Sequence, residues 1–218
     1  MLATLVAYVI CLRLQRAWPY WFLAPILSAS ALLLLLAVAM DANYSDYRRG
    51  GDGWLLMLGP ATVAMAAPIY QHRRLIQHHW RSLLIAVAVG SSVSLLSSWW
   101  LASLLVLDQS TRISLLPRSI STPFAMPASA YIGGIPELTA VLVVLTGIFG
   151  ALFGRWLLFW LPKTARIARG SAYGMAAHGV GTARAFEIGP VEGTVAALTM
   201  VLAGTLNVLL MPILAWML

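Results

Sequence analysis

The sequence is that of an all-α integral membrane protein: about six transmembrane helices plus two oppositely oriented re-entrant hairpins, forming an inverted-repeat, transport-like core. Three observations lead there. Of the 218 residues, 61% are hydrophobic and only 10% charged, with a mean hydropathy of +0.85; a water-exposed surface cannot be assembled from so few charges. Long apolar stretches recur along the chain. Between the later ones lie two segments that are apolar on average yet too rich in Gly and Pro to be plain helices.

The long apolar stretches are residues 1–12, 18–40, 54–70, 82–107, 135–161 and 191–218. The first is short for a hydrocarbon layer of about 30 Å and has no basic residue ahead of it, so it is expected to be a short first span rather than a cleavable signal. Residues 119–134 carry Pro123, Pro127 and the Gly133–Gly134 pair, and residues 170–189 carry Gly170, Gly174, Gly179, Gly181 and Gly189. Gly59, Pro60 and Pro68 bracket the third stretch, which is expected to be kinked.

Loop charge decides the threading. Arg13, Arg16, Arg73, Arg74, Arg81, Lys163, Arg166 and Arg169 on one side leave Arg48, Arg49, Arg112 and Arg118 on the other, diluted by Asp41, Asp46, Asp52 and Asp108. The positive-inside bias then puts the N-terminus outside and requires that neither broken segment crosses completely. An arm of about eight residues reaches roughly 12 Å, near the middle of the hydrocarbon. The first segment dips in from outside and the second from the cytoplasm, each followed by a full span. The chain is thus one polytopic domain, with N-terminal helices over 1–112 and a hairpin-plus-helix repeat core over 113–218. The cores Met65-Ala66-Ala67, Met126-Pro127-Ala128 and Met175-Ala176-Ala177 are a weaker echo of duplication.

Irregular backbone at membrane depth is tolerated only where it is buried or lines a cavity, so two such tips are the natural ligand contacts. The first offers Arg118, Ser119, Ser121, Thr122 and Pro123; the second offers His178, Gly179, Gly181, Thr182 and Arg184. Exposed main-chain N–H groups and guanidinium forks suit an anion, and Arg184 is the expected carboxylate clamp. His178 has the chemistry to change charge near neutral pH and couple transport to protons. Other roles stand beside these. Arg118 could anchor at headgroups, hydroxyls in membrane helices commonly bond local carbonyls, and Glu137 after Pro136 is standard helix-start chemistry as well as a candidate coupling group. Glu187 and Glu192, around Gly189–Pro190, are expected at the interface, and the small residues Gly150, Gly154, Gly170 and Gly174 at helix contacts.

Catalysis has no foothold in the sequence. It contains no HExxH, its one lysine (Lys163) sits in no phosphate loop, and Arg169 stands where a nucleophile elbow needs its first Gly. With Cys11 alone there is no internal disulfide and no cysteine-built metal site, so neither cofactor nor metal is expected. The net charge of +7 comes from short loops, and no nucleic-acid partner is implied.

Four stretches, 58–64 (LGPATVA), 116–126 (LPRSISTPFAM), 132–140 (IGGIPELTA) and 177–185 (AHGVGTARA), resemble the LrgB/CidB family, in order and over nearly the whole chain. Phe124 and Pro127 depart from the common pattern, which has a smaller aliphatic and an acidic stretch there. The resemblance implies a bacterial inner-membrane protein that works with a small four-span subunit of the LrgA/CidA type, and similarity to one half of the plastid glycolate/glycerate transporter. It implies movement of pyruvate, glycolate, glycerate or similar short hydroxy- and keto-acids. The alternative is a holin/antiholin-like protein that modulates murein hydrolase activity and autolysis. The small-residue faces allow a homo-oligomer as well as such a hetero-complex.

Overall fold

In the computed structural model, residues 2–18, 23, 25–64 and 66–217 are described. Met65, and residues 1, 19–22, 24 and 218 of the apolar stretches, lie outside them. The described residues form helices and no strand. The chain divides into two compact units, Met1–Pro60 and Ala61–Leu218.

In the first unit, α1 (Leu2–Ala17) packs on α2 (Pro25–Ala39) through Ala7, Cys11 and Ala29, with Leu32 and Leu33 alongside. The lone cysteine is a small buried hydrophobe here. A third helix, α3 (Tyr44–Ala64), begins ten residues ahead of the apolar run at 54, taking Arg48, Arg49 and three glycines into helix, and continues through Pro60.

The second unit holds α4 (Ala66–Gln71), α5 (Arg73–Leu104), α6 (Gln109–Leu115) with a 3₁₀ turn (Leu116–Ser119), α7 (Thr122–Tyr131), α8 (Pro136–Leu157), α9 (Arg166–Ile188) and α10 (Pro190–Met217). Residues Arg73–Leu104, Pro136–Gly154 and Pro190–Trp216 are long and apolar enough to cross a membrane. The Leu27–Ala39 part of α2 is apolar but shorter. Arg73, Arg74 and Arg81, counted above as loop charge, are helical: they lie in the first turns of α5, which bends at His79 (φ −115°, ψ 18°). Arg73 lies over the Tyr70 ring and donates to the Tyr70 carbonyl at 3.1 Å, so the arginine stem and ring cover each other at the start of α5.

Both interrupted segments double back. Residue His178 leaves helical geometry (φ 45°, ψ −126°), and its two flanking limbs lie side by side. Gly181 sits so close to Tyr173 and Ala177 that a Cβ would collide with both, and Tyr173 and Ala185 share one buried cluster. In a straight helix residues 173 and 185 would be about 18 Å apart. The earlier segment turns at Ile120 and Ser121, whose backbones are extended. The limb before this turn is Gln109–Ser119, so the turn falls at the start of 119–134, among the residues Arg118 to Pro123 expected at its tip. Ile113, Leu116 and Ile120 of one limb pack with Ala125, Ala128 and Ile132 of the other.

A buried knot closes the base of this first hairpin. The Thr139 hydroxyl lies 2.9 Å from the Ser114 carbonyl and 2.7 Å from Ser129 Oγ, and the Ile135 N–H donates to Ser114 Oγ at 2.7 Å. Gly133 (φ +85°) supplies the left-handed residue that lets α7 turn into α8. Pro136 and Glu137 form the first turn of α8, the helix-start arrangement expected of them. Glu192, expected at the interface, is instead 6% exposed in the first turn of α10, folded against Gly189 at the positive end of that helix.

Small residues set the helix seams. Gly150 meets the Ala176 carbonyl and Ala177, and Gly154 meets Tyr173, so α8 runs antiparallel to the first limb of α9. Gly170 against Val195 and Gly174 against Ala196 and Thr199 make that limb parallel to α10. A Cβ at Gly174 would overlap both the Ala196 carbonyl and Thr199 Oγ1. Gly174→Val should therefore lower stability in detergent by about 1–3 kcal/mol, read as a fall in thermal unfolding temperature. Thr139→Val should cost a similar ~1–3 kcal/mol, because it strands two buried polar partners, and Thr139→Ser should recover most of the loss.

Asp108 caps α6, accepting from the Ser110 hydroxyl and from the Thr111 N–H at 3.0 Å. The Ser110 hydroxyl foremost, with Thr111 behind it, holds the carboxyl at about 2 against its usual 3.8. A depressed carboxyl stabilises the fold above its unfolded value, and the contribution is lost as pH falls through the folded value. The stability gap between the native chain and Asp108→Ala should be full above pH 3.8 and close as the pH falls towards 2. A gap independent of pH in denaturant titrations would contradict this.

Candidate functional site

The two turns meet. His178 is 3% exposed, and its Nε2 lies 3.2 Å from the Arg118 carbonyl oxygen. A carbonyl only accepts, so Nε2 carries the hydrogen. The half-buried Arg118 side chain donates from Nε to Ser98 Oγ of α5 at 2.8 Å and from Nη1 to Thr146 Oγ1 of α8 at 3.5 Å, a long contact. One guanidinium thus ties the first turn to α5 and α8, while its own main chain holds the second turn. Among the described residues no carboxylate pairs with it.

The meeting point is central to the long helices. Thr146 stands ten residues from the start of α8 and eleven from its end. On α10, Gly204 lies fourteen residues from the start and thirteen from the end, against the ring of Phe124 in the first turn of α7.

Neighbouring polar groups are left unsatisfied. Ser119 Oγ and Ser121 Oγ are buried and have no hydrogen-bond partner among the described residues. Local chemistry explains the second. Ser121 occupies the N-cap of α7, where its hydroxyl would normally accept from the second or third helical N–H. The second helical residue is Pro123, which has no N–H, and the third, Phe124, donates to the Ser121 carbonyl at 2.9 Å instead. The hydroxyl is freed by the proline beside it. A buried polar group without a partner carries a cost of about 1–3 kcal/mol, which a ligand's hydrogen bonds can remove.

His178 adds strain. A positive φ is cheap for glycine and of order 1–3 kcal/mol for a residue with a Cβ. Histidine occupies the position although exposed Gly179, with open space where its Cβ would be, follows directly. The imidazole is what the position gains for that strain.

Of the residues picked out in the sequence, the structure brings together Arg118, Ser119, Ser121 and His178. Thr122 and Pro123 open α7 beside them, and Gly179 and Gly181 shape the second turn. Thr182 points its hydroxyl at Met200 Sδ of α10, 3.9 Å away. Arg184 is not in the cluster. It lies six residues beyond the turn with its side chain 40% exposed, and its guanidinium is paired with Glu187 one turn further on. Glu137 is exposed at the start of α8. The Arg118 partners Ser98 and Thr146 were not singled out in the sequence, nor was the buried pair in which Asn207 Nδ2 donates to Ser91 Oγ at 2.8 Å. Ser91 and Ser98, seven apart on an apolar helix, and a lone Asn in α10 were the available signals.

Two cavities border Trp99. One, of about 560 Å³, is lined by Leu96, Ser97, Trp99, Trp100 and Ser103; the other, of about 320 Å³, by Trp99, Gln109, Arg112 and Ile113. Among the described residues no group of acidic, cysteine and histidine side chains is arranged to hold a metal.

Comparison with known proteins gives a consistent result. The chain is 35% identical to the Bacillus subtilis (strain 168) protein named "Uncharacterized protein YwbG" over 211 residues, 97% of this chain and 94% of that one. It is 32% identical to "Uncharacterized protein YxaC" of the same strain over 216 residues, 99% and 94% of the two chains. No solved structure matches. The family model described as the LrgB-like family matches residues 4–217, and the chain belongs to that family.

Proposed function

We propose that this LrgB-like membrane protein is a transporter of small monocarboxylates, with the anion held between the two hairpin turns. The observation that carries the reading is Arg118: a guanidinium midway along the long helices, bonded to the hydroxyls of Ser98 and Thr146 and, among the described residues, in no ion pair with a carboxylate. A cation in that setting is costly without an anion, and a carboxylate is the ligand its planar fork fits. Ser119 and Ser121 supply two further donors, enough for a short hydroxy- or keto-acid such as pyruvate, glycolate or glycerate. The turns are in contact, so the anion enters as the His178 imidazole releases the Arg118 carbonyl. That single hydrogen bond is a small obstacle, about 0.5–1.5 kcal/mol.

In this reading α6–α7 and α9 are re-entrant hairpins entering from opposite faces, six spans cross a bacterial inner membrane, and the N-terminus lies outside. Opposed helix breaks at half-depth, around a fixed site, are the arrangement that alternating access requires. The protein binds and moves its substrate without chemical conversion, and a small LrgA/CidA-type subunit is its expected membrane partner.

The test is uptake of radiolabelled pyruvate and glycolate into proteoliposomes. Saturable uptake is expected. Arg118→Gln should reduce it by about a hundredfold or more, the worth of a buried charge-assisted pair, with Arg118→Lys partly active. Arg184→Gln should leave it within about twofold, as befits an exposed ion pair. His178→Gly, which removes strain along with the imidazole, should keep or raise thermal stability while slowing uptake. Leakage of neutral dyes with no saturable anion uptake would overturn the carrier in favour of a holin-like pore.

A further inference from the structure

The last turns of α5 show one face to the Arg118 cluster and another away from it. Ser98 faces inward, whereas Leu96, Trp100 and Leu104 are 69%, 65% and 57% exposed. The 560 Å³ hollow runs over this outer face. Its two serines have turned their hydroxyls back onto the helix, Ser97 to the Ser94 carbonyl at 3.1 Å and Ser103 to the Trp99 carbonyl at 2.8 Å. The hollow therefore presents ring faces and methylenes, not hydrogen-bonding groups.

At Trp99 this apolar hollow adjoins a polar one. The Trp99 ring carries the Arg112 guanidinium, with Cζ 5.2 Å from the ring centroid, and Trp99 also lines the 320 Å³ cavity with Gln109 and Arg112. Arg112 Nε is buried and has no hydrogen-bond partner among the described residues. Asp108, four residues earlier at the cap of α6, accepts from Ser110 and Thr111, and among the described residues it forms no ion pair with Arg112. Trp99 is five residues from the end of α5, so this polar pocket lies about 7–8 Å along the axis from the helix terminus, and tryptophans are enriched where a spanning helix meets the headgroups.

We propose that the two hollows are one binding site for an anionic phospholipid. Its phosphate sits on Arg112 and Gln109, and an acyl chain lies along Leu96, Trp99 and Trp100. A free anion would use the polar pocket alone and leave the adjoining apolar hollow without a purpose; a lipid uses both. The site needs α5 to lie in a bilayer but is independent of what passes between the hairpin turns.

The full chain, delipidated in detergent, is titrated with dioctanoyl-phosphatidylglycerol, dioctanoylglycerol and inorganic phosphate, and bound species are counted by native mass spectrometry. One phosphatidylglycerol per chain should be retained. Arg112→Gln should weaken it about fivefold, the worth of one basic side chain at a charged lipid surface. Ser97→Leu, which fills the apolar hollow, should weaken it as well, and Arg184→Gln, at an exposed local ion pair, should not. Unchanged melting temperatures establish that the variants are folded; should either variant melt early, competition by phosphatidylglycerol on the native chain against the other two probes decides. Equal retention of dioctanoylglycerol, equal competition by inorganic phosphate, or retention of no lipid would each overturn the proposal, as would a homo-oligomer whose interface covers Trp100.

Discussion

A guanidinium in the middle of an apolar helix bundle has to be held by groups that cannot neutralise it, and the rest of the second unit is arranged around that constraint. Arg118 takes hydroxyls from Ser98 and Thr146 on two long helices, and its carbonyl takes the His178 imidazole from the opposing turn. Three elements distant in sequence are thereby fixed to one residue. Because the side-chain partners are neutral hydroxyls and not carboxylates, the positive charge of Arg118 is left uncompensated by them. Ligand binding at this point would complete the site rather than compete with an internal salt bridge.

Satisfied and unsatisfied regions are spatially separated. At the base of the first hairpin, Ser114, Ser129 and Thr139 meet each other's needs, and the seams between α8, α9 and α10 close at glycines with no room for a methyl group. Nearer the turns the order reverses: Ser119 and Ser121 lack partners, Pro123 withdraws a donor, and His178 holds a strained backbone. A chain that violates local rules in one place while obeying them around it shows the pattern expected of a functional or strained site. The rigid surroundings are also what allow strain to persist at the turns instead of relaxing into straight helices.

Helix α5 links the Arg118 cluster to the surface at Trp99. Its Ser98 side secures Arg118, and the next residue, Trp99, carries Arg112 on the way to the outer face. Consecutive residues on a helix point about 100° apart, so one turn serves both an internal site and an external surface. Both arginines belong to the same descending limb, Arg112 in α6 and Arg118 in the 3₁₀ turn that continues it, and both meet α5.

Composition and hydropathy alone determined the membrane class, because a chain with one charged residue in ten cannot be solvated on all sides. Glycine and proline enrichment pointed to both interrupted segments but not to the breaks themselves, which fall at Ile120–Ser121 and at His178, while Pro60 and Pro127 sit inside helices. The IGGIPEL stretch announced the turn into α8 through the left-handed freedom of Gly133 and the helix-starting Pro136 and Glu137. The side-chain partners were a matter for the tertiary structure. Arg184 and Arg118 are equally basic in sequence, yet one faces Glu187 on the same helix, and the other reaches Ser98 and Thr146, twenty and twenty-eight residues away. The limits of the first hairpin were equally hidden, because Gln109–Ser119 has no helix breaker before Pro117 to separate it from a connecting loop. Local propensity fixes where a chain can bend, but which buried donors meet depends on how distant helices pack, and no short stretch of sequence contains that information.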